Sequence, residues 1–269
     1  MKSIRDLYNK ILDYEGDDIF NNLIKIWIEE NKYKSYLESV HLEILNYKEK
    51  KISIETSYEL YALSRVLDAM TLKFQPIEDG REKFWSWPNI SLDDYSAFID
   101  LIWCSSLTPN DYHPFYCEIS QAIKSDWDYK IENVLFPGIM LWNLMIKRAW
   151  MLMGFNNKEF NIDIINKSTL FWAHRRNSRP YEDLSVGWGS NSQWGTRFRF
   201  DILSDNSYIY NLYWDFDCSE TNDKLSEELT IQKLTLTQAT DLVRIRHLMD
   251  YYKNEGYLSP YYFKYIEKR

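Results

Sequence analysis

The chain has 269 residues, of which 45% are apolar and 17% aromatic, and its formal charge is −8. That length supports a sizeable core, and the apolar share excludes a largely disordered chain. Eight glycines and seven prolines exclude collagen-like and low-complexity forms. A pI near 5.2 disfavours binding to phosphate backbones, so nucleic acid is not an expected partner; the charge would steer a basic protein toward the chain, or is ordinary solubility charge.

The first 155 residues predict mainly helix. IRDLYNKILDY and DIFNNLIKIWIEE repeat apolar residues at three- and four-residue spacings, with Asp17 as the expected cap of the second. ISIETSYELYALSRVLDAMTLKF continues the pattern, with Thr56 or Ser57 as its start. SLDDYSAFIDLIWCSS opens with Ser91 three residues before Asp94, the spacing of a capping box. PNDYHPFYCEISQAIKS predicts a further helix after Pro114. VLFPGIMLWNLMIKRAWMLMGF is the most apolar stretch, but it holds Lys147 and Arg148 near its middle. It predicts a buried helix at the centre of the core and not a membrane span.

Residues 156–236 predict a β-rich region. RFRFDIL alternates, with Arg197, Arg199 and Asp201 on one side and Phe198, Phe200 and Ile202 on the other. Ser204-Asp205-Asn206-Ser207 is a turn signal, and YIYNLYWDFD follows as the second strand of a hairpin. Residues 237–269 return to helix, with Thr237 capping LTQATDLVRIRHLMDYYKN and Gly256 near its end. The expected fold is a single α+β domain: an N-terminal helical layer, a small antiparallel sheet and a closing C-terminal helix.

Two segments carry candidate chemistry. Residues 172–201, WAHRRNSRPYEDLSVGWGSNSQWGTRFRFD, gather three glycines, five arginines and three tryptophans. Here His174, Arg175, Arg176, Arg179, Gly187, Gly189, Ser190, Asn191 and Gln193 form a candidate site for an anionic phosphate or carboxylate ligand, since guanidinium groups match such anions as planar forks. The alternative is a structural loop folded back on the core. No dinucleotide-binding, P-loop or nucleophile-elbow pattern fits the glycines and serines. The second segment runs from Asp201 to Glu228 with eight acids and one lysine, interleaved with Tyr208, Tyr210, Tyr213 and Trp214. Either it faces a basic partner, or its charges protect a hairpin edge from pairing. His113 and Cys117, four apart, lack the paired spacings of a zinc site, so neither metal nor cofactor is predicted. Three cysteines make no disulfide framework, and the polar opening MKSIRDLYNKILDYEGDD predicts no leader, which places the chain in a reducing cytoplasm.

An acidic, compact chain without a catalytic motif and crowded with Trp and Tyr resembles the bacterial immunity proteins that neutralise a cognate toxin, often a basic nuclease. The stretches GWGSNSQWGTRFRFD and LTLTQATDLVRIRHLM have the look of signatures but carry no assigned role. The resemblance implies inhibition by occlusion without catalysis. The contacts would come from Asp201, Asp205, Tyr208, Tyr210, Tyr213, Asp215 and Asp217. A second class of reading is an enzyme or small-ligand binder acting through the arginine- and glycine-rich segment. A third is an oligomer that buries its aromatic surplus against a second copy.

Overall fold

The computed structural model describes residues 2–47, 52–71, 90–156, 160–167, 198–245 and 263–269. They divide into two compact units: 2–106 with Phe198, and 107–167 with 199–245 and 263–269. The fold class is α+β, with helices first, then sheets, then a helix and a last strand.

The first unit is helical. α1 (Ile4–Leu12) places Ile4, Leu7 and Ile11 on one fully buried face, the spacing that the sequence shows. A π-helical turn (Phe20–Ile24) leads into α2 (Lys25–Glu30), followed by α3 (Tyr33–Leu45), α4 (Ile54–Thr71) and α5 (Leu92–Leu101). Glu59, buried on α4, holds the start of α1: it accepts the Ser3 hydroxyl at 2.5 Å and the Ile4 amide at 2.6 Å. A carboxylate at a helix N-terminus meets unpaired amides and the positive end of the helix dipole. Trp27 of α2 donates its indole N–H to Asp6 at 2.8 Å.

The expected caps move by a few residues. The carboxylate that accepts the amide of Asn21 at 3.2 Å belongs to Asp18 and not Asp17. The amide of Thr56 is taken by Ser53, three residues before the expected start of α4. The capping box of α5 forms as read, with Ser91 and Asp94 each accepting the other's amide. α5 ends in a Schellman motif: the Cys104 amide reaches the Ile99 carbonyl at 3.1 Å, and Trp103 adopts φ 59°. Tryptophan stands where glycine is usual, and the Lys34 ammonium lies 3.8 Å from its ring centroid.

Strands begin at β1 (Ser105–Leu107), far earlier than residue 156. β2 (Cys117–Lys124), β3 (Lys130–Phe136), β4 (Gly138–Leu141), β5 (Leu144–Lys147) and β6 (Ala149–Phe155) occupy the segments expected to be helical after Pro114. The physical reason is burial on both faces. All of β4 and β5 and all but one residue of β6 are buried, so the apolar run does not alternate and its period identifies neither helix nor strand. Trp142-Asn143 forms the two-residue turn between β4 and β5, with Trp142 at φ 53°.

A short helix α6 (Ile162–Lys167) follows, then β7 (Asp201–Leu203), β8 (Ser207–Tyr210), β9 (Phe216–Asp217), α7 (Asp223–Ile231), α8 (Leu236–Ile245) and β10 (Phe263–Lys268). The β7–β8 hairpin forms as read, closed by Ser204 and Ser207. The strands make a seven-stranded sheet, ordered β1-β4-β5-β7-β8-β10-β9, and a three-stranded sheet, ordered β2-β6-β3. In the larger sheet β4–β5, β5–β7, β7–β8 and β8–β10 pair antiparallel and β10–β9 parallel, while β2 runs parallel to β6 in the smaller sheet. The β10 strand replaces helix at 263–268, and Thr235 and not Thr237 caps α8, in a reciprocal pair with Gln238. On the edge of the smaller sheet, the Asn166 side chain donates to the Ala122 carbonyl at 2.9 Å and accepts its amide at 3.0 Å.

Ser91→Ala removes one half of the α5 capping box and is expected to lower stability by about 1 kcal/mol, read as a shift in the midpoint of urea unfolding. An unchanged midpoint would show that the cap contributes nothing.

Candidate functional site

Asp201 is expected on a solvent face because it alternates with phenylalanines. The structure buries it, with a relative exposure of 3%. Both faces of this stretch are inside: Phe200 and Ile202 on one, Arg199 and Asp201 on the other. The polar face is satisfied by an ion cluster. One Asp201 oxygen accepts Arg148 at 2.8 Å, and the other accepts the Arg199 Nε at 2.8 Å and the Asn211 amide at 2.9 Å. The two guanidinium groups also donate to carbonyls of α8, Arg148 to Arg244 at 2.7 Å and Arg199 to Val243 at 2.5 Å. Glu118, itself buried, brings a second negative charge. Burial alone would lower the Arg148 pKa. Asp201 and Glu118 outweigh it and hold the guanidinium above its ordinary value.

Arg148 stands between β5 and β6, at the residue where the chain leaves the seven-stranded sheet and enters the three-stranded one. The cluster therefore ties that crossing to β7 and α8. It is a structural anchor, and Asp201 is removed from the set of partner contacts.

The other expected contact residues separate into packed and exposed groups. Tyr210 is fully buried, and its hydroxyl donates to Glu267 at 2.7 Å. Burial first, and that bond to Glu267 next, push its phenol pKa up. Tyr208 is half-buried against Phe115 and His113, with ring centroids 5.0 and 4.3 Å away. Tyr213 packs edge-on to Phe200. Asp217 is paired with Lys264. Of the hairpin's rings Tyr210 is core, while Tyr208 and Tyr213 are half-buried against neighbouring rings. Asp205 and Asp215 are exposed.

The acidic surface continues past the hairpin. Glu220, Asp223 and Glu227 are exposed. Asp223 and Glu227 stand one turn apart on α7, and the next step of four reaches Ile231, 65% exposed. Leu225, on the opposite side of the helix, is buried. Leu236, 39% exposed, begins α8 just beyond. Residues 223–231 were expected within the β-rich region, and α7 with its stripe replaces strand there.

His174, Arg175, Arg176, Arg179, Gly187, Gly189, Ser190, Asn191 and Gln193 lie outside the described residues.

Sequence reasoning missed a cleft of about 800 Å³ in the second unit. The loop at 110–114, the start of β3, Phe160, α8 and Glu267 of β10 line it. Tyr112 and Tyr129 lie parallel, within 2°, with centroids 6.4 Å apart, and Phe160 stands edge-on to Tyr129. Arg244 is held by Glu267 at 2.7 Å, and Lys130 by Glu132 at 2.9 Å. His113 faces the cleft with Nδ1 accepting the Phe115 amide at 3.2 Å, so its neutral form carries the proton on Nε2. Burial lowers the His113 pKa below 6.5, which keeps the ring neutral at pH 7. No signal in the chain joins residues 110–114 to 241–245 and Glu267; only folding does.

Cys104, Cys117 and Cys218 are buried thiols, with Cys104 and Cys218 pushed up to about 12 by burial. Among the described residues no three His, Cys, Asp or Glu side chains gather as a metal site, and no helix is long and apolar enough to cross a membrane. No protein-family model matches this chain, and no curated protein or solved structure matches it either.

Asp201→Ala leaves two buried guanidinium groups short of their carboxylate and is expected to cost about 3–5 kcal/mol, measured by chemical denaturation. A loss below that of an ordinary surface substitution would show that the cluster does not anchor the fold. The histidines give a pH dependence. For both His113 and His41 burial lowers the folded-state pKa, so below 6.5 the unfolded chain binds the proton more readily. Their contribution is full above 6.5 and is lost as the pH falls from 6.5 through the folded values. Stability should therefore decline below pH 6.5, with a smaller slope in His113→Gln. An equal slope in the variant would remove His113 as a cause.

Proposed function

We propose that this chain is a non-catalytic protein-binding module of the bacterial cytoplasm that occludes a basic partner, in the manner of the immunity proteins that neutralise toxins. The observation that carries the reading is the exposed stripe Asp223, Glu227 and Ile231 on α7, with Asp215, Glu220 and Leu236 nearby in sequence. Carboxylates steer a cationic surface into encounter and fix its register, while a desolvated isoleucine supplies the contact that holds it. Acidic side chains alone would serve solubility; the large apolar side chain at the end of the same stripe favours docking. Buried thiols suit a reducing compartment, since none is available for a framework bond.

The contact surface in this reading is shifted from the hairpin interior to Asp205, Asp215 and the outer face of α7. The test is calorimetric titration of the purified chain with the basic protein encoded beside it, at several salt concentrations. Affinity should be nanomolar and fall as salt rises. Asp223→Lys combined with Glu227→Lys should weaken it at least about a hundredfold, with a melting temperature close to that of the parent because exposed charges contribute little to folding. Unchanged affinity in that double variant would remove α7 as the contact. Absence of any complex would remove the reading.

A further inference from the structure

β6 lies between β2 and β3, so the residues that join those two strands, 125–129, pass its end. They approach it closely at Gly154, where an added Cβ would stand 2.8 Å from Ser125 Cβ and 2.9 Å from Glu132 Oε1. Three hydrogen bonds fix their path. The Ser125 amide donates to the Phe155 carbonyl at 3.0 Å, the Trp127 amide to the Ser125 hydroxyl at 3.3 Å, and the Asn156 side chain to the Asp126 carbonyl at 3.4 Å. The middle residue, Trp127, is 65% exposed, a value matched among the described large apolar side chains only by Ile231. Ile123, 44% exposed, stands in register with the same Gly154. The ring of Tyr129 is already packed against Tyr112, Phe155 and Phe160 and takes no part.

Resting on the reading of the chain as a binder of a basic protein, we propose that Trp127 is a second docking point for that partner. The ring enters an apolar pocket with a cationic rim. Tryptophan is among the side chains enriched at the positions that dominate binding energy, since its large flat surface loses water on contact. A ring carried on a pinned turn gives up little freedom when bound, so ordering offsets little of the contact energy. The nature of the occupant follows from charge. Asp126 and Asp128, both exposed, flank the ring in the chain. Residues 124–132 hold three acids against two lysines, and one of these, Lys130, is bonded to Glu132 at 2.9 Å. In a chain of net charge −8, that balance repels anionic lipid or phosphate and attracts a cationic rim. The turn and α7 belong to the same compact unit.

The probe is the basic protein encoded beside the chain, titrated onto the whole chain by surface plasmon resonance. Trp127→Ala should weaken the complex at least about thirtyfold, mainly through faster dissociation. Asp126→Lys should weaken it about tenfold, mainly through slower association and with a smaller salt dependence. Thermal melts of both variants should match the parent, because both positions are exposed. In a chain labelled with 5-fluorotryptophan, the Trp127 signal is assigned by its loss in Trp127→Phe. That signal should shift on complex formation and lose its access to a soluble paramagnetic chelate. Unchanged affinity in Trp127→Ala would overturn the proposal, as would a Trp127 signal that keeps its access in the complex. The two readings fail separately. If the Asp223→Lys, Glu227→Lys chain loses the partner and Trp127→Ala keeps it, α7 docks without the turn. If Trp127→Ala loses the partner and the α7 double variant keeps it, the turn stands and the α7 contact does not. Absence of any complex would remove both.

Discussion

Asp201 receives two guanidinium groups and a backbone amide inside the β-rich unit, and the paths of three elements converge on it. Arg148 arrives from the junction of two sheets, Arg199 from the lead into β7, and both reach on to carbonyls of α8. Charges in a low-dielectric interior are tolerated only when geometry satisfies them, so the cluster admits few alternative packings. The position of α8 follows from it, and with α8 come Asp241 and Arg244 at the cleft. The Glu267 carboxylate extends the network outward: one oxygen holds Arg244 and the other takes the Tyr210 hydroxyl.

The helical unit was largely legible. The apolar spacing of α1 marks its buried face, and the Ser91–Asp94 pair announces the start of α5. Helix ends were harder. Trp103 and Lys233 take the left-handed conformation after α5 and α7, positions where a glycine would have served as a signal. The strands β4, β5 and β6 were not legible, because they are buried on both sides and lack alternation. Pro137-Gly138 at the head of β4 and Asn143 in the next turn were the breaks available in that run, and the apolar count outweighed them.

The candidate contact surface was half legible. An alternating strand with charges on one side ordinarily turns that side to water. Here the charges on β7 neutralise one another within the interior, which a single strand cannot reveal, since Arg148 lies 53 residues from Asp201 in the chain. Of the hairpin tyrosines, Tyr210 went inside, while Tyr208 and Tyr213 are half-buried. What stays outside is Asp205, Asp215 and the α7 stripe, acids that make no ion pair with a basic group among the described residues. The cleft escaped notice for a related reason: its walls come from 110–114, 129–131, 160, 241–245 and Glu267, and only folding assembles them.

Asn166 has an effect that reaches past its own helix. By offering an amide to both backbone groups of Ala122, it behaves as one residue of a missing neighbour strand. The outer margin of β2 is thus occupied at its middle by a group that cannot propagate a ladder. An edge blocked in this way resists recruiting strands from other molecules at that point.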